Sequence, residues 1–142
     1  MINDNKFTFL PHTADIKFQA FGKSLEEVFE NSALALINII TKEKIKAIIN
    51  KKIKAKGKDL EELLYNFLEE FLFLLDSKDF IFSKFKKIKV YKKNEYYNLS
   101  AEVLGDDIKN YRHEGDVKAI TYHEMFVIKE KDNWKTQVVV DV

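Results

Sequence analysis

The feature of this sequence that most constrains its fold is an apolar stripe in the middle of the chain. From residue 60 to residue 75, leucine and phenylalanine recur at helical spacing, which places them on one face of an α-helix. Asp59 followed by Glu62 forms a capping box that begins this helix. A helix face so apolar has to be covered, and we expect it to pack under a broad sheet.

A second amphipathic helix is predicted over residues 25–41. Ser24 and Glu27 form another capping box, and the apolar residues after it also repeat at helical spacing. These apolar residues are Leu25, Val28, Phe29, Ala33, Leu36, Ile37 and Ile40.

Most of the remaining chain is predicted to form strands, because apolar and polar residues alternate in it. The alternation changes phase around Phe85, which indicates a bulge or a break. Gly105 and the two aspartates after it predict a turn, and residues 130–133 predict a hairpin turn. The predicted strands are 7–10, 16–21, 47–56, 80–82, 88–91, 97–103, 119–129 and 134–142.

The order of these elements predicts an α+β fold. We expect a single domain over residues 1–142, in which two amphipathic helices pack on a mostly antiparallel β-sheet. A chain of 142 residues is long enough to bury a core of its own. No linker, internal repeat or low-complexity segment is apparent in the sequence.

The composition excludes several classes of protein. The 24 Lys and Arg residues nearly balance the 23 Asp and Glu residues, so a net charge of +1 provides no overall field toward nucleic acid or membranes. The absence of cysteine excludes disulfides and cysteine-ligated zinc, and it suits a reducing compartment. No run approaches the roughly 18 apolar residues of a membrane span. We therefore expect a cytoplasmic protein without membrane contact.

Two stretches, residues 42–58 and 84–93, are locally rich in lysine. Because their lysines mostly alternate with apolar residues, we interpret them as the solvated faces of strands. Contact with RNA is the alternative interpretation. It has less support, because no aromatic stacking pattern of the ribonucleoprotein type is visible between the lysines.

The tetrapeptide His12-Thr13-Ala14-Asp15 is the first candidate site. It places an imidazole, a hydroxyl and a carboxylate directly before the predicted strand 16–21, which needs none of them. The alternative is an ordinary turn, in which Thr13 and Asp15 bond to their own backbone.

A second polar concentration lies in residues 113–125, where Lys118 and His123 fall in or beside a predicted strand. Either residue could be functional, because a histidine titrates near neutral pH and a lysine can face an anion. The alternatives are structural, since a strand histidine is commonly hydrogen-bonded and a strand lysine commonly solvated.

Asp141 interrupts the last apolar strand, and Val142 adds a terminal carboxylate beside it. If this segment folds back next to Asp15, several oxygen ligands converge, and they repel one another unless a cation is present. Ligation by oxygen alone favours Ca²⁺ or Mg²⁺ over Zn²⁺. The alternative is that Asp141 simply faces solvent.

Five features of the sequence belong together: the tetrapeptide 12–15, the capped helix after it, VKAITYHEM at 117–125, Trp134 and VVVDV at 138–142. With these features the sequence resembles the archease family over essentially its whole length. The resemblance implies a small α+β protein that is a protein cofactor, not an enzyme, of the tRNA-splicing RNA ligase. Such a cofactor promotes guanylylation of the ligase, so that the ligase turns over repeatedly, and RNA is contacted only through the ligase.

The resemblance also implies a site. It places calcium, or another hard divalent cation, at Asp15, Asp141 and Val142. It makes Lys118 the functional lysine, and we expect Lys118, His12 and His123 to take part in ligase activation. In the family the residue before this histidine is usually acidic, whereas here it is a proline at position 11, which leaves the strength of the cation site open.

Two functions of other classes are the alternatives. One is a metal-dependent phosphoester hydrolase that uses Asp15, Asp141 and His123, and intrinsic turnover on phosphoesters would indicate it. The other is a chaperone-like interaction module without a site, which loss of Asp15 would not affect.

Overall fold

The computed structural model of the protein describes residues 6–142, and the expected domain of residues 1–142 therefore includes five residues outside this range. No helix in the described range combines the length and the apolar character needed to cross a membrane. The elements are β1 (Phe7–Leu10), β2 (Ile16–Gly22), α1 (Leu25–Ile40), β3 (Ile49–Gly57), α2 (Leu60–Lys78), β4 (Phe80–Lys93), β5 (Tyr96–Asp107), a 3₁₀ turn (Ile108–Asn110), β6 (Ala119–Glu130) and β7 (Asn133–Asp141).

The α+β fold class is confirmed, with two helices and seven strands in two antiparallel sheets. Sheet A has the strand order β1-β2-β7-β6, and sheet B has the order β3-β5-β4. Helix α1 packs on β2 and also reaches β4, whereas α2 packs on β3 and β4 and also reaches β6. Both helices therefore bridge the two sheets, and their apolar faces belong to one continuous hydrophobic core.

The two sheets are built from the same arrangement of elements, used twice. In sheet B, a strand and a helix (β3, α2) are followed by a hairpin (β4, β5) whose second strand pairs with β3. In sheet A, β2 and α1 are followed much later by the hairpin β6–β7, whose second strand pairs with β2. The second unit is thus inserted into the first, between α1 and β6.

A short sequence signature marks each strand-to-helix junction. The helix N-caps Ser24 and Asp59 accept hydrogen bonds from the backbone N–H groups of Glu27 and Glu62, at 3.0 and 2.8 Å, which confirms both capping boxes. The expectation of no internal repeat was wrong, because the strand–helix–hairpin arrangement occurs twice. The sequence did not reveal it, because the likeness in sequence is confined to these junctions. They read Gly22-Lys23-Ser24-Leu25-Glu26-Glu27 and Gly57-Lys58-Asp59-Leu60-Glu61-Glu62.

The irregularity predicted near Phe85 is a pair of β-bulges in β4. The register with β5 shifts between Phe82 and Lys84, and again between Phe85 and Lys87. Each shift leaves one residue of β4 unpaired, so Phe82 and Phe85 both keep contact with the core although an odd number separates them. The broken alternation in the sequence therefore reported the bulges correctly.

The turn predicted at Gly105 was wrong, because β5 continues through it to Asp107. Glycine is required there by the close approach of the neighbouring strand. A Cβ atom at this position would lie 2.0 Å from the carbonyl oxygen of Ile81 and 2.7 Å from the ring of Phe80. The sequence signal of a turn was in fact the signal of a tight strand-to-strand contact.

We expect Gly105→Ala to lower the free energy of unfolding by about 2 kcal/mol or more, since the backbone of β4 has to move to admit the methyl group. Chemical denaturation measures the loss. Ser100→Ala, on the outward face of the same strand, is the control and should change stability by less than about 0.5 kcal/mol. Equal stability of the Gly105→Ala variant and the wild type would contradict the close approach.

Candidate functional site

The candidate site lies at one end of sheet A, where three segments meet. Ile16 of β2 and Ile120 of β6 both pair with Val140 of the central strand β7. The register therefore puts Asp15, which directly precedes β2, at the same end of the sheet as Asp141. The backbone N–H of Lys118 donates to the carbonyl oxygen of Asp141 at 2.7 Å.

These residues are open to solvent. Lys118, Asp141 and Val142 are exposed, and the side chain of Asp15 keeps 35% of its accessible surface. An open position suits groups that meet another molecule, because a partner can reach all of them at once.

A bulge of four residues in β6 brings the side chains of His123 and Glu124 to this end of sheet A. Thr121 pairs with Val139 and Phe126 with Gln137, so residues 122–125 stand opposite the single residue 138. Glu124, within the bulge, has a φ of 56°, in the left-handed region that a non-glycine residue seldom adopts. The side-chain amide of Gln137 donates to the carbonyl oxygen of Glu124 at 2.8 Å and holds the bulge against β7.

The carboxylate of Glu124 connects the polar groups of the site. It accepts a hydrogen bond from Lys17 Nζ at 3.0 Å and lies 2.9 Å from Nε2 of His123. Nε2 of His12 is 3.5 Å from the same carboxylate, and Nδ1 of His12 is 3.9 Å from Oδ2 of Asp15. One chain of contacts thus runs from Asp15 through His12 and Glu124 to His123.

The charge of Glu124 is stabilised by its neighbours. The hydrogen bond from Lys17, followed by the one from His12, holds the pKa of the Glu124 carboxyl below its usual range. Glu124 is therefore an anion at neutral pH, and it attracts cations and hydrogen-bond donors to this end of the sheet.

Nδ1 of His12 is buried and lacks a hydrogen-bond partner among the described residues. The carboxylate of Asp15, at 3.9 Å, is the near acceptor but is too distant for a hydrogen bond. A small movement of the loop would close this gap. A histidine whose second ring nitrogen faces a carboxylate has the arrangement that orients metal-binding imidazoles.

Two sets of donors at this end could hold a cation. His12, His123 and Glu124 offer ligand atoms that all lie within 4.8 Å of one another, and they form the one such group found in residues 6–142. Two imidazoles and a carboxylate suit a borderline ion such as Zn²⁺. The oxygen set of Asp15, Asp141 and Val142 suits a hard ion instead.

Sequence reasoning gave no role to Glu124 or Lys17. No clear signal was present in the sequence, because apolar residues occur in both phases of this strand. In the structure Ile120 and Val127 are both buried although an odd number of positions separates them. Strict alternation puts two such residues on opposite faces, so a bulge is needed between them. The contacts made by the bulge could not be predicted without the register of β6 on β7.

A surface groove lies elsewhere on the molecule. It has a volume of about 1160 Å³ and is lined mainly by α1 and the segment after it. None of Asp15, Lys118, His123, Asp141 and Val142 lines it. The candidate residues therefore form an exposed patch at a sheet end and do not line this groove.

The fold and the site define a small α+β protein of inserted-repeat architecture, with histidine, lysine and carboxylate groups exposed at one end of a sheet. Residues 7–142 match the model of the Archease protein family, and the chain belongs to that family. It is 43% identical to the protein archease of Methanosarcina barkeri over 140 residues, which cover 96% of each chain. It is 42% identical to the protein archease of Pyrococcus furiosus, over 92% of this chain and 94% of that one.

Two solved structures are similar to this one. The solution structure of protein 1598 of Methanobacterium thermoautotrophicum has a TM-score of 0.84 and 35% identity, covering 97% of this chain and 99% of its own. The crystal structure of a Thermotoga maritima archease has a TM-score of 0.59 and 22% identity, covering 94% of each chain. The second shows likeness of fold alone.

We expect Lys17→Met to raise the pKa of Glu124 toward the ordinary glutamate value, because it removes the strongest hydrogen bond to that carboxylate. A ¹³C NMR titration of the glutamate carboxyls, in the presence of a chelator, measures the shift. Lys23→Met is the control, since Lys23 lies beyond the far end of β2. An unchanged pKa in Lys17→Met would mean that the ion pair is not formed in solution.

Proposed function

We propose that this chain is an activator of the tRNA-splicing RNA ligase, promoting guanylylation of the ligase and its multiple turnover in tRNA exon ligation. The observation that carries the proposal is membership of the archease family across residues 7–142. The sheet register supports it by grouping Asp15, Lys118 and Asp141 at one end of sheet A. The proposal includes a cytoplasmic location, and activation itself requires no direct contact between this protein and RNA.

A divalent cation at Asp15, Asp141 and Val142 is part of this proposal. The chemistry of the donors fits Ca²⁺, because carboxylate oxygens are the ligands that hard cations prefer. Two acidic side chains at one sheet end also repel each other, and this repulsion favours occupation by a cation. A bound cation would supply positive charge toward the phosphates of a nucleotide held by the ligase.

Lys118 would supply a second positive charge. Its backbone is fixed by the hydrogen bond to Asp141, while its side chain is exposed and forms no ion pair with any described residue. Its ammonium can therefore extend from a rigid base toward a docked partner. Positive charge fixed in position stabilises the charge that develops as a triphosphate is attacked.

His12 and His123 would complete the docking surface. Their rings lie 6.0 Å apart and both approach the carboxylate of Glu124, which sets their orientation. Imidazoles held in this way can donate hydrogen bonds to an anionic group of the ligase or of its nucleotide. In this proposal the chemistry belongs to the ligase, and the archease chain arranges charge around it.

We expect limiting ligase with GTP and a divalent metal to perform many more ligations per ligase molecule when this protein is added. The reason is that activation restores the guanylylated ligase after each ligation. Counting sealed RNA per ligase by gel electrophoresis measures the effect. Sealing or phosphoester hydrolysis by this protein without ligase would overturn the proposal in favour of an enzyme.

Lys118→Ala is the informative variant in the same assay. It should lose most of the activation while the melting temperature changes little, because an exposed lysine contributes within about 0.5 kcal/mol to stability. Lys129→Ala, an exposed lysine at the other end of β6, should activate normally. The Thermotoga maritima protein is described as a possible chaperone. If suppression of ligase aggregation alone explained the gain in turnover, the chaperone alternative would replace this proposal.

We expect Asp15→Asn and Asp141→Asn each to abolish stabilisation by Ca²⁺ and to impair activation. Without Ca²⁺ each change should leave stability equal or slightly higher, since it relieves repulsion between carboxylates. Because both residues would bind one ion, the double variant should lose little more than either single variant. Thermal unfolding and calorimetry with and without Ca²⁺ measure these effects.

The control for this cycle is Asp132→Asn, because Asp132 is exposed in the turn between β6 and β7, at the opposite end of sheet A from Asp141. Additive losses, or unchanged Ca²⁺ affinity in Asp141→Asn, would show that the two aspartates do not share an ion. A parallel Zn²⁺ titration compares the wild type with His123→Ala. Loss of Zn²⁺ binding in the variant would show that the group of His12, His123 and Glu124 binds an ion instead.

A further inference from the structure

The two lysine-rich stretches of the sequence meet on one surface in the fold. They form β3 and β4, which lie on either side of β5 in sheet B. Residues paired across an antiparallel sheet share a face, so the register defines which side chains lie together. We call the outward face of sheet B the lysine face; its lysines are Lys52, Lys54 and Lys56 on β3, and Lys84, Lys87, Lys89 and Lys93 on β4.

The charge on this face is not balanced locally. Glu102 of β5 is the one acidic side chain in the rows between these lysines, and it pairs with Lys87 at 3.6 Å. Lys54 and Lys89 lie in one row on either side of Ser100, and neither makes an ion pair within residues 6–142. Like charges on one face of a sheet destabilise it. The net charge of the whole chain is only +1, so this concentration is a property of the face.

The shape of the lysine face is a shallow trough. Its floor is β5, which is lowest at the short polar residues Asn98 and Ser100. The outward residues of the next rows are Glu102 and Leu104. The lysines of β3 and β4 form its two sides, about 10 Å apart, and along each strand outward positions recur about every 7 Å. A trough of this width admits one extended polyanion strand, whereas a double helix is too wide to enter between the sides.

Two tyrosines lie on the same face near one end of the trough. Tyr91 pairs with Asn98, and Tyr96 pairs with Lys93. The ammonium groups of Lys89 and Lys56 lie over the rings of Tyr91 and Tyr96, at 5.1 and 4.3 Å from their centres. Tyr91 is 38% exposed. Unpaired bases stack on aromatic rings of this kind once the flexible lysine side chains move from the ring faces to the phosphates.

We propose that the lysine face binds a single strand of nucleic acid, with the phosphates along the two rows of lysines and unpaired bases stacked on Tyr91 and Tyr96. The charges contact the backbone and not the base edges, so binding is independent of sequence and tolerates RNA or DNA. This surface is on sheet B, away from the sheet end that carries Asp15 and Asp141. It therefore provides a direct contact with RNA that activation of the ligase does not require.

The test is fluorescence anisotropy with a labelled oligouridine of twelve nucleotides, without ligase or divalent metal. Wild-type protein should bind it with an affinity that falls with salt, with a log–log slope of about −3 if about four phosphates are neutralised. An oligothymidine of equal length should bind comparably, and duplex RNA more weakly. The variant Lys54→Glu/Lys89→Glu, with one change on each side of the trough, should bind at least about tenfold more weakly.

Two controls separate charge, stacking and folding. Lys129→Glu/Lys131→Glu changes the net charge equally but lies on the β6–β7 hairpin of sheet A, and it should bind like the wild type. Tyr96→Ala should weaken binding about fivefold or more, whereas Tyr96→Phe should retain it because the ring still stacks. Thermal unfolding identifies any variant that fails to fold. If Lys54→Glu/Lys89→Glu does not fold, the milder variant Lys54→Gln/Lys89→Gln replaces it.

Equal loss of binding in the two charge-reversal variants would overturn the proposal, because net charge and not this face would then explain the affinity. If duplex RNA bound as tightly as the single strand, the inference that the trough admits only a single strand would be wrong. Binding of the lysine face to vesicles containing phosphatidylserine, without affinity for the oligonucleotides, would assign it to a membrane surface instead. None of these outcomes depends on the ligase assay, so the two proposals fail separately.

Discussion

The pairing of β2 with β7 is the interaction on which the rest of the structure depends. It joins segments near opposite ends of the sequence, in register from Ile16 with Val140 to Gly22 with Trp134. It makes β2 and β7 the two inner strands of sheet A, and it closes the first strand–helix–hairpin unit around the inserted second one. It also sets Asp15 and Asp141 at a common sheet end. A shift of this register by one residue would turn the apolar side chains of β2 outward and separate the candidate site.

The repeated unit explains how so small a chain supports two different surfaces. Both helices point their apolar faces into one core, which leaves the outer face of each sheet to solvent. Sheet A uses the end of its outer face for histidines and carboxylates, and sheet B covers its outer face with lysines. Because the core depends on the inner faces, each outer face can change its chemistry with little effect on stability.

The sequence predicted local structure well, because local structure depends on neighbouring residues. The stripe from Leu60 to Leu75, both capping boxes and the irregularity at Phe85 were all visible as patterns. The division of the strands into two sheets was not visible, because a period of two is the same in either sheet. Gly105 was wrongly predicted to form a turn for a related reason. A close contact with another strand requires glycine, just as many turns do. Glu124 was missed because its position depends on the bulge opposite β7.

The insertion of one unit within the other also sets an order of assembly. Strands β3, β4 and β5 and helix α2 are contiguous in sequence, so their contacts close short loops at small entropic cost. Sheet A instead requires β2 to meet β7 across the whole intervening chain, and such distant contacts form late. We therefore expect sheet B to form first, and α1 and sheet A to complete the core on it. The end of sheet A that carries Asp15 and Asp141 is then assembled only in the finished molecule, so the candidate site is absent until folding is complete.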